Sequence, residues 1–389
     1  MRKERLFDQF QEVFGGVPEG DVYRAPGRVN LIGEHTDYNG GLVLPIAIDM
    51  DTCVCMRETA NDIGCVYSTS FDQLATMDLN DLDHPSNTWT DYVQGIMVEI
   101  RERGKQFRGF DLLIDSEVPV GSGLSSSAAL EIAVANAFND MFDLGLVDLQ
   151  LIRLCQSAEN NFVGAHTGIM DQYISYHGLA GKALLLNTKE LVHEVIELEL
   201  DDFQLVVIDT TVSHEHENNQ YNVRRSECEQ ALEVINGNDF LPEQLTALSQ
   251  ISTEQLSSLR SVLEGRLFDR VSHVVNENQR VIGVADFLTQ EKIEKVGELF
   301  YESHRSLKNL YEVSSKELDF LVDFARDYPV PGARMTGGGF GGAIINLVPE
   351  GKVEDYIQQA TFAFENEFNI TPKCFVVNSS DGARVKPMA

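Results

Sequence analysis

The sequence has few basic residues for its length, which restricts the partners it could bind. Of its 389 residues, 61 are Asp or Glu and 30 are Lys or Arg, so the formal net charge is −31. A surface this acidic repels nucleic acid and anionic membranes, and we expect neither as a partner. It also repels a polyanionic nucleotide at long range, so a nucleotide site would need local dipoles or metal ions.

The sequence also lacks membrane, secretion and disulfide signals. No apolar run approaches the ~18 residues of a membrane span. The N-terminal stretch carries charges within an amphipathic helical pattern, MRKERLFDQFQEVFGG, unlike a signal peptide. The six cysteines are scattered and form no C-x-x-C pair, which is typical of reduced thiols. We therefore expect a soluble, cytoplasmic protein, and the acidic surface favours a monomer.

The composition, with 43% hydrophobic and 23% charged residues, is that of a folded globular chain. Its length favours two domains or one large α/β unit. Strand and helix patterns mix in the first half, whereas the chain after Val212 reads as largely helical until two late strands, GGAIINLV and KCFVVN. We predict an N-terminal domain at residues 1–205 and a C-terminal domain at residues 206–389.

A glycine- and serine-rich loop is the strongest local feature. An apolar strand at 109–118 leads into PVGSGLSSSAALE at 119–131, where helical spacing begins at Ser126. Glycines allow the backbone to approach a ligand, and a helix start offers unpaired N–H groups that suit phosphate. The chain has no G-x-x-x-x-G-K-[ST] pattern, so this is not a Walker-type loop. The alternative is a helix cap that binds no ligand.

A second stretch, GRVNLIGEHTDYNGG at 27–41, places four ionisable residues between apolar runs: Arg28, Glu34, His35 and Asp37. This pattern fits a solvated turn, since Asp, Asn and Gly cluster there. It also fits a pocket wall that binds a hydroxylated ligand.

Weaker candidates follow along the chain. Many glycines precede a late strand in RMTGGGFGGA at 334–343, which suits either a tight turn or a close approach to a ligand or to the first glycine loop. Glu159 and Asp171 lie among apolar residues, where a carboxylate needs a partner or a function, although a helix surface and a turn are the alternatives. His214 and His216 form an H-x-H pair that could bind a metal but fits an exposed loop better.

Taken together, the three glycine-containing motifs resemble those of the GHMP family of small-molecule kinases, in the family's order and over almost the whole chain. The first motif resembles the sugar signature of members that phosphorylate galactose. The resemblance implies an α+β, two-domain fold with the active site in the cleft between an N-terminal mixed-sheet domain and a C-terminal α+β domain. It implies ATP-dependent phosphorylation of galactose at the anomeric C1 hydroxyl, giving galactose 1-phosphate and ADP, the first committed step of the Leloir pathway.

The resemblance also implies roles for particular residues. Asp171 would be the base near the anomeric hydroxyl and Arg28 its neighbouring cation. Ser127 and Glu159 would hold Mg²⁺, with Ser68 as a further nucleotide contact. The sugar would contact Glu34, His35, Thr36, Asp37 and Tyr221. The phosphates of ATP would lie against Gly121, Ser122, Gly123, Leu124, Ser125, Ser126 and Ser127.

Two alternatives to a galactose 1-kinase stay open at this stage. One keeps the chemistry but accepts N-acetylgalactosamine or arabinose. The other is a galactose sensor without catalysis, although GLSSSAAL retains the Ser-Ala pair that such sensors lack. The chain departs from the family in its acidic, His-bearing loop at 213–220 and in Thr167, where many members carry Cys; we expect little effect from the latter.

Overall fold

A computed structural model of the chain describes residues 2–212, 217–238, 244–328 and 330–383. The H-x-H pair, together with residues 213–216 of the acidic loop before Tyr221, lies outside the described residues. The described part contains these α-helices: α1 (Arg2–Phe14), α2 (Thr90–Glu102), α3 (Ser126–Met141), α4 (Asp148–Ser157), α5 (Met170–His177), α6 (Glu217–Gly237), α7 (Thr253–Leu259), α8 (Arg266–Thr289), α9 (Ile293–Ser306), α10 (Lys316–Asp327) and α11 (Val353–Phe368).

The same residues form three β-sheets. Their strands are β1 (Glu19–Asn30), β2 (Leu42–Val43), β3 (Pro45–Glu58), β4 (Ile63–Ser68), β5 (Gln73–Asp78), β6 (Phe110–Ser116), β7 (Lys182–Asn187), β8 (Val192–Glu197), β9 (Phe203–Asp209), β10 (Gly332–Thr336), β11 (Ala343–Pro349) and β12 (Lys373–Val377). Three short 3₁₀ turns (Asp37–Asn39, Leu248–Gln250 and Glu350–Lys352) and two π-helical turns (Ala158–Val163 and Leu307–Tyr311) complete the elements.

The N-terminal half is built on a mixed sheet in the order β1-β3-β6-β4-β5. The β4 and β6 strands run parallel, while the other neighbours are antiparallel. Helix α3 packs on β1 and β3, and α5 packs beside it on the same strands. Small side chains on α3, such as Ala129 and Ala133, are fully buried and allow this close packing. The sheet and these helices together fix the two loops that later line the cavity.

The C-terminal half has an antiparallel sheet in the order β10-β11-β9-β12, with α9 and α10 packed on β10. The predicted boundary between residues 205 and 206 falls inside β9, which pairs with β11 and β12. We therefore propose a division between β8 and β9, because it keeps each sheet whole. The end of the described chain returns to the N-terminal half, where the Gly382 amide donates to the Gly178 carbonyl at 2.8 Å.

The two halves share one hydrophobic core in addition to their own. Val29 and Ile46 of the first sheet pack in the same buried cluster as Val207 and Ile345 of the second. Burial of apolar surface from both halves holds them together around the cleft. The predicted α+β, two-domain architecture is confirmed. Within the described ranges, no helix is both long and apolar enough to cross a membrane.

Candidate active site

A cavity of about 440 Å³ opens between the two halves. Its walls come from the turn after β1, the ends of β4 and β6, the loop before α3, the first turn of α5, and the 336–342 segment. This volume falls in the range of small-molecule sites. The cavity brings together all of the predicted site residues except Thr36, Ser122 and Leu124.

These three exceptions face the protein rather than the cavity. The Thr36 hydroxyl contacts the carbonyls of Gly33 and Leu42 at 2.8 and 2.7 Å. The Ser122 hydroxyl donates to the Pro119 carbonyl at 2.8 Å. The Leu124 side chain is fully buried. Their side chains therefore shape the two loops and do not present groups to a ligand.

The loop before α3 forms a backbone concavity. Gly121, Gly123 and Ser125 alternate along it with φ values of 75°, 75° and 60°. Alternation of left-handed residues with ordinary ones turns successive N–H groups toward one side, which makes an anion-binding nest. The start of α3 follows at once and adds the positive end of its dipole. This local positive potential can attract a polyanionic ligand that the acidic surface repels at long range.

The second glycine-rich segment closes over this loop. A Cβ added at Gly337 would lie 3.1 Å from the Gly123 carbonyl oxygen, and Gly337 itself has φ of 82°. The sequence predicted a close approach either to a ligand or to the first loop, and the contact with the first loop is present.

Arg28 and Asp171 form a bidentate ion pair beside the nest. Arg28 Nε donates to Asp171 Oδ1 at 2.7 Å, and Arg28 Nη2 donates to Asp171 Oδ2 at 2.6 Å. Arg28 Nη1 donates to the Gly123 carbonyl at 2.6 Å. The Ser125 hydroxyl, predicted only as a phosphate contact, donates to Asp171 Oδ2 at 2.5 Å. The arrangement fixes one carboxylate with three donors next to the phosphate loop.

Glu34 is buried in the cavity wall and paired with Arg334. Its carboxylate accepts from Arg334 Nη2 through one oxygen and from Thr336 Oγ1 and the Gly337 amide through the other. Burial raises the pKa of Glu34, and the Arg334 charge opposes that rise. Glu34 and His35 are only 2% and 4% exposed, so the alternative of a solvated turn is wrong.

His35 links the first motif to the glycine-rich segment. Its Nε2 lies 3.0 Å from the Gly338 carbonyl, which can only accept, so Nε2 donates and Nδ1 accepts from the Tyr38 hydroxyl at 2.8 Å. Burial, with His273 nearby, lowers the pKa of His35 to about 3, so the ring is neutral at physiological pH. The Tyr221 ring packs 5.3 Å from the His35 ring and borders Gly338.

Asp37 lines the same cavity as Asp171 and lies close enough to feel its charge. Burial and the neighbouring Asp171 charge raise the pKa of Asp37 to about 6. Its carboxylate packs against Gly168, where an added Cβ would lie 1.7 Å from Asp37 Oδ2. A glycine at position 168 is therefore needed for this orientation of Asp37.

Glu159 sits in the π-helical turn at Ala158–Val163 and is 5% exposed, so the surface alternative for this residue is wrong. Its Oε2 accepts from Thr167 Oγ1 at 2.7 Å and from Gln172 Nε2 at 2.8 Å. Burial raises the pKa of Glu159. Thr167, expected to matter little, thus contributes a direct hydrogen bond.

These oxygens fit a magnesium ion. Mg²⁺ prefers oxygen ligands and is often held by one or two protein groups together with substrate phosphates. Glu159 and Ser127 supply such oxygens at the edge of the nest, and no described Lys or Arg neutralises Glu159. Among the described residues, no group of three or more His, Cys, Asp or Glu side chains could hold a metal ion without other ligands.

The other end of the cavity is apolar and aromatic. Phe71 and Trp89 stack with ring centroids 5.7 Å apart and an interplanar angle of 15°, and Trp89 Nε1 donates to Gln73 at 3.1 Å. Ser68 and Tyr92 also line the cavity. Aromatic walls next to a phosphate loop suit a planar base.

Sequence reasoning missed several residues of the site. Arg334 stands at the start of the quoted RMTGGGFGGA, but nothing in the pattern indicated a pairing with Glu34, 300 positions away. Trp89 is the only tryptophan of the chain, a signal that could have drawn attention to the apolar end. Gln172 follows Asp171 directly and was not considered.

Comparisons with known proteins agree with this geometry. Family models match at residues 8–58 (galactokinase galactose-binding signature), 91–179 (GHMP kinases N terminal domain) and 284–366 (GHMP kinases C terminal). The galactokinase of Thermosipho africanus is 41% identical over 360 residues, covering 92% of this chain and 98% of that protein. The galactokinase of Chloroflexus aggregans is 42% identical over 357 residues, covering 90% of each chain.

A solved structure is similar over nearly the full length. The crystal structure of Lactococcus lactis galactokinase complexed with galactose matches with a TM-score of 0.93 and 34% identity, covering 98% of this chain and 99% of that one. The fold and the cleft define a sugar kinase of the GHMP class. Within that class the chain belongs to the galactokinase family, whose members phosphorylate galactose to galactose 1-phosphate. The predicted family and activity are confirmed.

The contact between Gly168 and Asp37 gives a first test. In Gly168→Ala the new methyl group forces the Asp37 carboxylate to rotate away, while the backbone tolerates Ala. We expect normal folding but galactose binding weaker by about 10-fold or more, since a hydrogen bond to a charged group contributes roughly 1.5–3 kcal/mol. Calorimetric titration with galactose measures this. Gly351→Ala, whose Cβ would meet open space, is the control. Unchanged affinity in Gly168→Ala would show that the Asp37 position is not used in binding.

Proposed function

We propose that the cavity binds galactose at its polar end and ATP at its aromatic end, with the reacting groups meeting at Asp171. The observation that carries this is the Arg28–Asp171 pair directly beside the backbone nest of Gly121 and Gly123. Phosphoryl transfer needs positioning and charge stabilisation more than covalent chemistry, and this junction supplies both.

In the proposed step Asp171 accepts a hydrogen bond from the C1 hydroxyl of galactose. Three of the lone-pair positions of its carboxylate are taken by Arg28 and Ser125, which leaves one for the sugar. As the sugar oxygen bonds to the γ-phosphorus, the bond from that phosphorus to ADP breaks and the hydroxyl proton passes to Asp171. Arg28 fixes the carboxylate and stabilises negative charge near the transferring group.

We propose that Glu34, Asp37 and Tyr221 contact the sugar. The Glu34 carboxylate is held by Arg334 and can accept a hydrogen bond from a sugar hydroxyl, and so can the Asp37 carboxylate. His35 was predicted as a further ligand, but both its ring nitrogens bond to the protein, so its proposed role is to position Gly338 and the Tyr221 ring. Carboxylates held in fixed positions in the cavity wall discriminate between sugars that differ in the positions of their hydroxyl groups.

For the nucleotide, we propose that the phosphates lie in the nest between Gly121 and Ser127 and that the base stacks near Trp89, with Ser68 close by. Glu159 and Ser127 would hold Mg²⁺. When bound, Mg²⁺ neutralises part of the phosphate charge and orients the γ-phosphate. The backbone amides of the loop hold the phosphates in line with the sugar oxygen.

A cytoplasmic monomer is the form we propose. All six cysteines are free thiols in the structure, as expected in a reducing compartment. The net charge of −31 disfavours association of two copies.

Removal of the proposed base or its cation should stop catalysis while the fold is kept. Asp171→Asn and Arg28→Ala should each lower kcat by about 10²-fold or more, because each removes a group that acts in the transition state. A coupled assay of ADP release measures the rate, and circular dichroism checks the fold. Asp323→Asn and Arg305→Ala, both on exposed helix positions, are matched controls. A near-normal rate in either site variant would reject the role assigned to that residue.

The same assay on a sugar panel separates the competing functions. Phosphate transfer to galactose well above that to arabinose, glucose and N-acetylgalactosamine supports the proposed substrate. Tight galactose binding without any transfer by the wild type would favour a sensor instead.

The half-buried Asp37 carboxylate predicts a pH dependence of galactose binding. Because its pKa is raised to about 6, it is ionised above that pH and protonated below it. If the ionised form accepts the sugar hydroxyl, the Kd for galactose without nucleotide should rise as the pH falls through about 6. Asp37→Asn should bind more weakly and should lose the rise in Kd near pH 6 that Asp37 causes. A flat wild-type profile would contradict the assigned contact.

A further inference from the structure

Behind the cavity wall, Gln172 bridges two buried carboxyl groups. Its Nε2 donates to Glu159 Oε2 at 2.8 Å and to Glu131 Oε2 at 3.0 Å. Gln172 and Glu131 are both fully buried, and neither lines the cavity. Both hydrogens of the Gln172 amide nitrogen are therefore used, one on each carboxyl group.

Within the described part of the chain, the remaining oxygens of Glu131 and Gln172 are not paired. Glu131 Oε1 and Gln172 Oε1 are buried and have no hydrogen-bond partner among the described residues. Leaving such atoms unpaired costs free energy. An apolar pair at these positions would avoid that cost, so the polar side chains indicate a role other than packing.

The local geometry shows what that role is. Asp171 and Gln172 are consecutive in the first turn of α5 and point to different partners, Asp171 to Arg28 and Gln172 to Glu159. Gln172 and Thr167 together occupy Glu159 Oε2, which leaves Oε1 free of these two donors. One oxygen of Glu159 is thus fixed by the protein, and this sets the direction of the other.

We propose that Gln172 is a positioning residue for the cation-binding carboxylate of Glu159, and that Glu131 acts through it by fixing the rotation of the Gln172 amide. This rests on the proposed function, in which Glu159 holds Mg²⁺. Hydrogen-bond partners of metal ligands orient the ligand, and their loss commonly lowers metal affinity by about 10- to 100-fold. The first turn of α5 then determines the orientation of both the proposed base, Asp171, and the proposed metal ligand, Glu159.

The test measures metal binding directly. Mn²⁺ replaces Mg²⁺, and electron paramagnetic resonance counts free Mn²⁺ in the presence of a non-hydrolysable ATP analogue. Gln172→Met keeps similar length but removes both donors, and we expect about 10-fold weaker Mn²⁺ binding. Galactose affinity by calorimetry should stay near the wild-type value, while the unfolding temperature should fall, because the buried Glu131 carboxyl group loses the donor that Gln172 supplies. Quenching of the single Trp89 by the analogue without metal reports nucleotide binding separately.

Variants of Glu131 test the same proposal independently. Glu131→Gln keeps an oxygen that accepts from the Gln172 amide, so it should retain wild-type Mn²⁺ affinity. Glu131→Leu removes that acceptor and should weaken Mn²⁺ binding several-fold. If Gln172→Met does not fold, the two Glu131 variants still test the positioning role. A purely structural role would change the stability of these variants but would leave their Mn²⁺ affinities equal.

The outcomes separate the inference from its premise. Unchanged Mn²⁺ affinity in Gln172→Met, with Glu131→Leu equal to Glu131→Gln, would overturn the positioning role while leaving the metal site intact. Mn²⁺ binding that is as tight in Glu159→Gln as in the wild type would instead overturn the proposed metal site, and this inference with it. Weaker Mn²⁺ binding in Gln172→Met and Glu131→Leu, with galactose affinity unchanged, supports the inference.

Discussion

Arg28 joins three parts of the active site through one guanidinium group and one amide. Its side chain donates hydrogen bonds to both oxygens of Asp171 and to the carbonyl of Gly123. Its backbone N–H donates to the Leu124 carbonyl at 3.0 Å. Strand β1, the phosphate loop and the start of α5 therefore cannot move independently. The guanidinium group is planar and presents its donors in a rigid fork that matches the two oxygens of a carboxylate. The position of the carboxylate relative to the phosphate nest depends on this contact.

A second buried ion pair, between Arg334 and Glu34, joins the two halves of the protein at another wall of the cavity. Arg334 at the start of the glycine-rich segment binds Glu34 in the first motif, so the N-terminal sheet and the C-terminal sheet meet through a charge pair inside the shared core. Buried pairs of this kind contribute little net stability but fix one arrangement. In an acidic protein, these fixed cations and the backbone amides of the nest supply the positive potential that the surface does not.

The motifs predicted the fold class and most of the cavity wall, because each motif carries its own local geometry. The glycines at 121 and 123 indicated a close backbone approach. The four charges of the first motif fitted either a solvated turn or a pocket wall, and only the resemblance to the family favoured the wall. What the sequence could not supply was pairing across long separations. Ser125 contacting Asp171, Arg334 contacting Glu34 and Gln172 contacting Glu159 all depend on how distant elements pack. The domain boundary predicted between residues 205 and 206 falls inside β9, because an apolar strand reads alike in either sheet.

The central claim is that Asp171 meets the anomeric hydroxyl of galactose in line with a phosphate held by the loop amides. A crystal structure of the protein with galactose and a non-hydrolysable ATP analogue tests it most directly. We expect the C1 oxygen within hydrogen-bond distance of an Asp171 oxygen and about 3–3.5 Å from the γ-phosphorus, opposite the leaving oxygen. A sugar bound with a different hydroxyl at Asp171, or a γ-phosphate outside the nest, would contradict the account.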